Sequence, residues 1–317
     1  MGNDIYDVII IGGGPAGLTA GIYTSRARLR TLILESFAPS TQAVLTDLIE
    51  NYPGFPEGIT GFDLIEKFKK QAQRFSAERA TENVQSIGKD TLDRKMIWRV
   101  KTDKRALQSY SLIIASGARA RPLGIPGENQ FKGKGVSYCA VCDAPFFKGK
   151  DVLVVGGGNT AVQEALYLTK FASRVYLLHR RNRLRADKIL QERAQDNPKI
   201  EVLWESIPLE ITGDDKIGSV KIKNVKNNVT SDIKCDGVFI FIGWDPNTDF
   251  LNGQVKRDRE GYIITDDHMA TSRKGIFACG DCRKKSLRQV ITACGDGATA
   301  AYSAQLYVEN LMGRAYD

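Results

Sequence analysis

The feature that most constrains this 317-residue chain is one pattern that occurs twice. Asp7-Val8-Ile9-Ile10-Ile11 is apolar on both faces, as a buried parallel strand is. It runs directly into Gly12-x-Gly14-x-x-Gly17 and then into the helix-forming stretch Leu18 to Tyr23. Asp151-Val152-Leu153-Val154-Val155 repeats the arrangement and enters Gly156-x-Gly158-Asn159-Thr160-Ala161. Glycines let a backbone approach a pyrophosphate at the positive end of a helix, and alanine is accepted at the third position. A lone glycine-rich turn says little. Strand, turn and helix in that order point to a dinucleotide site.

The next strand in each half separates the two sites. Thr31-Leu32-Ile33-Leu34 ends at Glu35, roughly 20 residues beyond the first glycines, where an acid holds a ribose hydroxyl. That site suits flavin adenine dinucleotide (FAD) or NAD. Arg174-Val175-Tyr176-Leu177-Leu178 ends instead in His179-Arg180-Arg181, with Arg185 a turn later. An acid there would repel a 2′-phosphate, whereas arginines grip it, so the second site suits NADPH.

Between the two lies Ser137-Tyr138-Cys139-Ala140-Val141-Cys142-Asp143. Two thiols three positions apart can close a disulfide, and a carboxylate stands beside the second sulfur; this is chemistry suited to thiol–disulfide exchange. The same spacing is half of a zinc site. Cys279-Gly280-Asp281-Cys282 formally supplies the other half, but Cys279 ends an apolar strand and reads as buried structural cysteine. Cys235 and Cys294 read as core fillers, and His268 as a solvated side chain. With only two histidines in the chain, no metal site is expected.

A hydrophobic content of 42% with 26% charged residues is that of a soluble globular protein. The net charge of +8 raises the question of nucleic acid. The basic residues are spread along the chain, however, and their densest run, His179 to Arg185, is accounted for by a phosphate. Asp93-Arg94-Lys95 to Lys104-Arg105 reads as a solvated face. No apolar run reaches the roughly 18–20 residues of a membrane helix. Asp4-Ile5-Tyr6-Asp7 is acidic where a signal peptide would be basic. A cytoplasmic protein with no membrane and no nucleic-acid partner is expected.

Ser111-Leu112-Ile113-Ile114-Ala115 is a further buried strand ending at Ser116-Gly117-Ala118, followed by Pro122, Pro126 and Gly127, a crossover between domains. Cys235 to Ile242 is strand-like and ends at Gly243-Trp244-Asp245-Pro246-Asn247, the crossover back. Gly275 to Asp281 reads as a strand, and Arg288-Gln289-Val290 leads into a helix from Ile291 to Leu311. The boundaries expected are 1–117 and 245–317 for one domain and 118–244 for a second inserted into it.

Taken together these motifs resemble the low-molecular-weight thioredoxin reductases along essentially the whole chain. The likeness rests on Gly12-Gly13-Gly14-Pro15-Ala16-Gly17, Glu50-Asn51-Tyr52-Pro53-Gly54-Phe55-Pro56, the cysteine pair with Asp143, Gly156 to Ala161, His179-Arg180-Arg181, and Gly280-Asp281 with Arg288-Gln289-Val290. The resemblance implies an α/β fold of two Rossmann-like domains of three-layer ββα type, the NADPH domain carried as an insert in the FAD domain. It implies bound FAD, NADPH as electron donor, thioredoxin as disulfide substrate, and a homodimer. Cys139 and Cys142 would be the redox pair, with Cys142 nearer the flavin, and Asp143 the general acid and base. FAD would meet Gly12, Gly14, Pro15, Ala16, Gly17, Glu35, Ser36, Gln42, Asn51, Val84, Ala115, Ser116, Gly117, Gly280, Asp281, Arg288, Gln289 and Val290. NADPH would meet Gly156, Gly158, Asn159, Thr160, His179, Arg180, Arg181 and Arg185.

Three departures stand out. Ser40-Thr41 precede Gln42 where the family has two glycines, Ser116 replaces a threonine, and Ala144-Pro145 follow Asp143 where glycine is common. Because the cysteine pair and the NADPH site share the inserted domain, that domain is expected to rotate about hinges near Gly117-Ala118 and Gly243-Trp244. The rival readings are the same electron path to another redoxin or small disulfide, a dithiol oxidase, a ferredoxin- or flavodoxin-linked reductase, and a non-enzymatic redox sensor.

Overall fold

The computed structural model describes residues 5–36, 42–46, 48–92 and 94–314. The chain forms two units, one of Met1–Arg119 with Asp245–Asp317 and one of Ala120–Trp244.

The first unit is built on strand Ile5–Ile11, which pairs in parallel with Thr31–Glu35 on one side and Ala106–Ile114 on the other. Glu78–Thr81 extends the sheet beyond Thr31–Glu35. Successive side chains of a strand point to opposite faces, so a strand buried on both sides feeds two cores. Val8 and Ile10 pack with the helices Pro15–Arg26, Gly61–Arg74 and Val290–Leu311. Tyr6, Ile9 and Ile11 pack on the other face with Trp98, Val100, Leu251 and Ile263.

The far edge of Ala106–Ile114 is shared. Its first half pairs antiparallel with Lys95–Thr102, and its last three residues pair in parallel with Ile276–Ala278. Val84–Leu92 in turn pairs antiparallel with Lys95–Thr102. The described part of the stretch that reads as a solvated face belongs to a hairpin: Arg94, Arg99, Lys101, Asp103, Lys104 and Arg105 are exposed while Ile97, Trp98 and Val100 are buried. Helix Pro15–Arg26 packs against Val290–Leu311 through small residues. A Cβ on Gly297 would run into the backbone of Ala16, so glycine is what permits this approach.

The second unit carries five parallel strands in the order Ile200–Leu203, Arg174–Leu178, Asp151–Gly156, Gly237–Phe241, Val136–Ser137. Val152, Val154, Val175, Leu177 and Phe239 face helices Asn159–Leu168 and Lys188–Gln195. Leu153, Val155, Leu178, Val238 and Ile240 face Ile211, Ile217, Val220 and Ile222 of an antiparallel sheet. That sheet runs Ser206–Gly213, Ile217–Asn224, Thr230–Lys234. Helices, parallel sheet and antiparallel sheet are the three layers.

Each unit ties its own ends. In the first, Ser116 Oγ donates to Asn247 O at 2.6 Å and the Asn247 N–H donates to Gly117 O at 3.0 Å. In the second, the Arg121 N–H donates to Gly243 O at 3.0 Å.

Candidate active site

In the first unit Gly12 has φ +123°, and a Cβ there would overlap the Ala115 carbonyl; a Cβ on Gly17 would overlap that of Gly12. Strand, turn and helix can close together only with both glycines. Gly14 caps the helix with no side chain of its own and Pro15 opens it, which leaves the first-turn N–H groups free of side-chain caps. Ala16 is buried against Gly280. Glu35 lies against Gly13, and its Oε1 takes the Nε and Nη2 of Arg79, both at 2.6 Å. Ser36 follows it, exposed, and the Glu82 N–H donates to Glu35 O two residues before the half-buried Val84.

Ala115, Ser116 and Gly280 lie against this loop, and the other residues named for FAD make contacts elsewhere in the unit. Gln42 donates through Nε2 to Ala118 O; Ser40-Thr41 lie outside the described residues. Asn51 Nδ2 donates to Gln289 Oε1 at 3.1 Å. Gln289 caps helix Val290–Leu311 in a reciprocal box with Thr292. The Ala115 N–H donates to Ile11 O, and Gly117, at φ +65°, has open space where a Cβ would stand. Gly280, at φ +73°, donates its N–H to Asp296 Oδ2 at 3.1 Å. Asp281 is half-buried with its Oδ1 buried and unbonded, and burial pushes its carboxyl pKa up, against the pull of Lys285 and Arg288. Arg288 lays its guanidinium over the Tyr262 ring at 4.2 Å and leaves Nε buried without a partner. Closely packed glycine backbones with buried, unsatisfied Asp281 and Arg288 atoms fit a bound dinucleotide, because buried polar groups otherwise find partners.

In the second unit Gly156 is likewise wedged between Phe241 and Ala161, while Gly158 caps helix Asn159–Leu168 with open space at its Cβ position. Asn159 is held by Asp187: it donates from Nδ2 at 2.8 Å and accepts the Asp187 N–H at 2.7 Å. Thr160 is half-buried beside it. His179 lies buried beneath the loop, its ring filling the place a Gly157 side chain would take, edge-on to Trp204 at 6.5 Å. Burial holds the imidazole pKa below its ordinary value, and the neighbouring Arg185 and Arg180 depress it further. His179 therefore braces the loop as a neutral ring, and the positive charge comes from the arginines. Arg180 and Arg181 line an open cavity of about 550 Å³ with Asn182, Arg183, Glu205 and Val225. Arg185 stands outside that lining and donates its N–H to Gly157 O at 2.7 Å. Arg183 falls within the basic run read from the sequence without being named as a contact, and Glu205 escapes that reading. The crowding of cations after His179 is a signal for the first; Glu205 comes from a different strand connection and leaves none.

The same unit holds the cysteine pair. Cys139 and Cys142 are joined as a disulfide with Cα atoms 5.4 Å apart. Cys139 caps the one-turn helix Ala140–Asp143, and its Sγ accepts the Cys142 N–H at 3.1 Å. Such a donor stabilises a thiolate when the disulfide is open. Cys139 is half-buried, Cys142 exposed and Asp143 half-buried. Pro145 opens the short turn Ala144–Phe147, where a missing N–H costs nothing. That turn sinks Phe147 edge-on against Phe239 at 5.2 Å and leaves Phe146 73% exposed.

Residues 6–297 match the family model described as pyridine nucleotide-disulphide oxidoreductase. The chain belongs to this family. It is 49% identical to the thioredoxin reductase of Treponema pallidum, covering 97% of this chain and 98% of that protein. It is also 49% identical to the thioredoxin reductase of Bacillus subtilis, covering 97% and 96%. The crystal structure of Lactococcus lactis thioredoxin reductase superposes with a TM-score of 0.92 at 47% identity, covering 96% of this chain and 99% of that one. The protein is thus a flavin- and nicotinamide-dependent oxidoreductase acting on disulfides.

The other four cysteines of this oxidoreductase are free and buried. Burial pushes Cys235 up to about 12 and Cys282 up to about 11, and raises Cys279 and Cys294 as well. Among the described residues no group of three or more His, Cys, Asp or Glu side chains is placed to hold a metal ion, and no helix is long and apolar enough to cross a membrane.

Proposed function

We propose that this protein moves two electrons from NADPH, by way of FAD and the Cys139–Cys142 disulfide, to oxidised thioredoxin. The observation that carries the reading is the accessible disulfide, lying in the same unit as an arginine-lined nucleotide loop. When bound, FAD and NADPH supply the electrons that open the disulfide. Arg180 and Arg181 are the groups to hold a 2′-phosphate and so prefer NADPH to NADH. Asp281 and Arg288 supply the buried polar atoms that would meet FAD, and Glu35 the acceptor for its ribose.

Within the opened pair, the Cys142 N–H favours negative charge on the Cys139 sulfur. One thiolate attacks a sulfur of the partner's disulfide; the second sulfur then attacks the mixed disulfide and closes Cys139–Cys142 again. Asp143 delivers the proton that the departing thiolate needs. Phe146 offers an apolar contact beside the pair for a protein partner. The unit Ala120–Trp244 turns about Gly117-Ala118 and Gly243-Trp244 so that the pair and the nicotinamide site reach the flavin in alternation. The working form is a homodimer in the cytoplasm.

The deciding experiment is anaerobic. NADPH is added to the yellow protein, flavin bleaching is followed, and oxidised thioredoxin is then introduced. Bleaching followed by return of the colour, abolished in Cys139→Ser, is the expected result. Bleaching without return moves the substrate to another redoxin or a small disulfide. Absence of bleaching overturns the NADPH assignment.

A further inference from the structure

Glu128 is 2% exposed and plays no part in the chemistry above. Burying a carboxylate is costly unless every lone pair is met, and three donors meet this one. Oε1 accepts the Leu123 N–H at 2.8 Å and the Tyr138 O–H at 2.6 Å; Oε2 accepts the Gly124 N–H at 2.6 Å. Gly124 sits at φ +72°, a left-handed turn that suits glycine and lets two consecutive N–H groups face a single side chain. Tyr138 is the residue immediately before Cys139. Its ring packs on the sheet-side core of the second unit, with the Lys132 ammonium 5.5 Å from its centre. Burial, and after it the carboxylate alongside, raises the phenol pKa, so the O–H stays a donor.

The next anchor toward the sulfur is Ser137, which is buried. Its Oγ accepts the Cys139 N–H at 3.0 Å and donates to Cys139 O at 3.1 Å. Cys139 is therefore held from its N-terminal side by two consecutive anchored residues. On the other side only a four-residue helix leads to the exposed Cys142. Opening the disulfide removes the covalent tie, and what then keeps the two sulfurs near each other is the fixed position of Cys139.

Resting on the reading of Cys139–Cys142 as an exchanging pair, we propose that Glu128 and Tyr138 are positioning residues that set the reduction potential of that disulfide. They do so by holding Cys139 in place in the dithiol. In exchange with glutathione disulfide, the glutathione S–S bond breaks and the Cys139–Cys142 bond forms. Two electrons and the two thiol protons pass to two molecules of glutathione. The equilibrium constant of that reaction follows the effective concentration of one sulfur at the other. Freeing Cys139 lowers it and makes the disulfide easier to reduce.

The test uses the flavin-loaded protein, equilibrated anaerobically in glutathione buffers, quenched with acid, and scored by alkylation of Cys139 and Cys142. Tyr138→Phe and Glu128→Gln are each expected to lower the constant for disulfide formation by about threefold to tenfold. The double variant falls little further, because the two act as a unit. Thr212→Val, which removes a 2.8 Å hydrogen bond to Ser219 in the antiparallel sheet of the same unit, is the control. It should lower thermal stability without moving the constant. If both natively folded variants keep the wild-type constant, or shift only the melting temperature as the control does, the inference is overturned. If the wild-type pair itself does not exchange with glutathione, the underlying reading fails instead.

Discussion

Cys139–Cys142 and Cys279–Cys282 have the same spacing and opposite characters. The first pair caps a one-turn helix, gives one sulfur a backbone N–H donor at 3.1 Å and leaves the other exposed. The second is entirely buried at the end of strand Ile276–Ala278, and the Cys282 thiol donates to Ile114 O at 3.4 Å and Cys279 O at 3.3 Å. A sulfur near solvent that receives an N–H is prepared for negative charge; Cys282 is also met by Ser116 and Gly117, but burial in a dry core outweighs them and keeps it protonated. The residues enclosed differ to match. Ala140 and Val141 fill a turn, whereas Gly280 turns the backbone at φ +73° and Asp281 carries a buried, unbonded Oδ1. Spacing sets which ring could close, and surroundings set whether the sulfurs react.

The sharpest way to break this comparison is to remove one sulfur from each pair. Cys142→Ser should lower thioredoxin reduction by at least about a thousandfold while flavin content is unchanged. The acids come next. Asp143→Asn should slow disulfide reduction by about tenfold to a hundredfold, since a positioned acid is worth about that much. Asp281→Asn should instead weaken flavin retention, by about tenfold in flavin dissociation measured by fluorescence, with exchange per bound flavin little altered. If Asp281→Asn slowed exchange and spared the flavin, the division between the two pairs would fail.

A smaller effect concerns pH. Cys282 titrates at about 11 in the folded chain against about 9 for an ordinary thiol, and Cys279 is raised too. The unfolded chain gives up these protons first as pH rises. The stability tied to the buried pair is therefore complete below about pH 9 and is lost as pH climbs toward 11. Denaturant melts across that window should show the decline, and Cys282→Ala should flatten it. The smallest effect is that of Cys282→Ser on turnover, expected within about twofold of wild type. A tenfold loss there would show that the buried pair takes part in electron transfer.

Both nucleotide-binding folds are legible in the sequence because each writes its physics into consecutive residues: a doubly apolar strand, glycines at fixed offsets, then a helix. The hairpin formed by Val84–Leu92 and Lys95–Thr102 is hidden by its charges, which line the outward face while Ile97, Trp98 and Val100 are covered from elsewhere. The reacting sulfurs and the arginines of the candidate site can be named from their motifs. Their supports cannot. Glu128 is ten residues from Tyr138 with no periodicity linking them, and Glu205 reaches the arginine cavity from a separate connection. His179 is legible as part of a basic run, and only its burial beneath Gly157 reveals a neutral brace.

The sequence by itself determined the family, the two nucleotide folds and the spacing of every reactive group, since these depend on local geometry that neighbouring residues specify. Tertiary structure alone decided which buried side chains hold the reactive disulfide and how fully the second cysteine pair is shut away from solvent. Burial and solvent access come from residues far away in the chain, and they control thiol ionisation more strongly than spacing does.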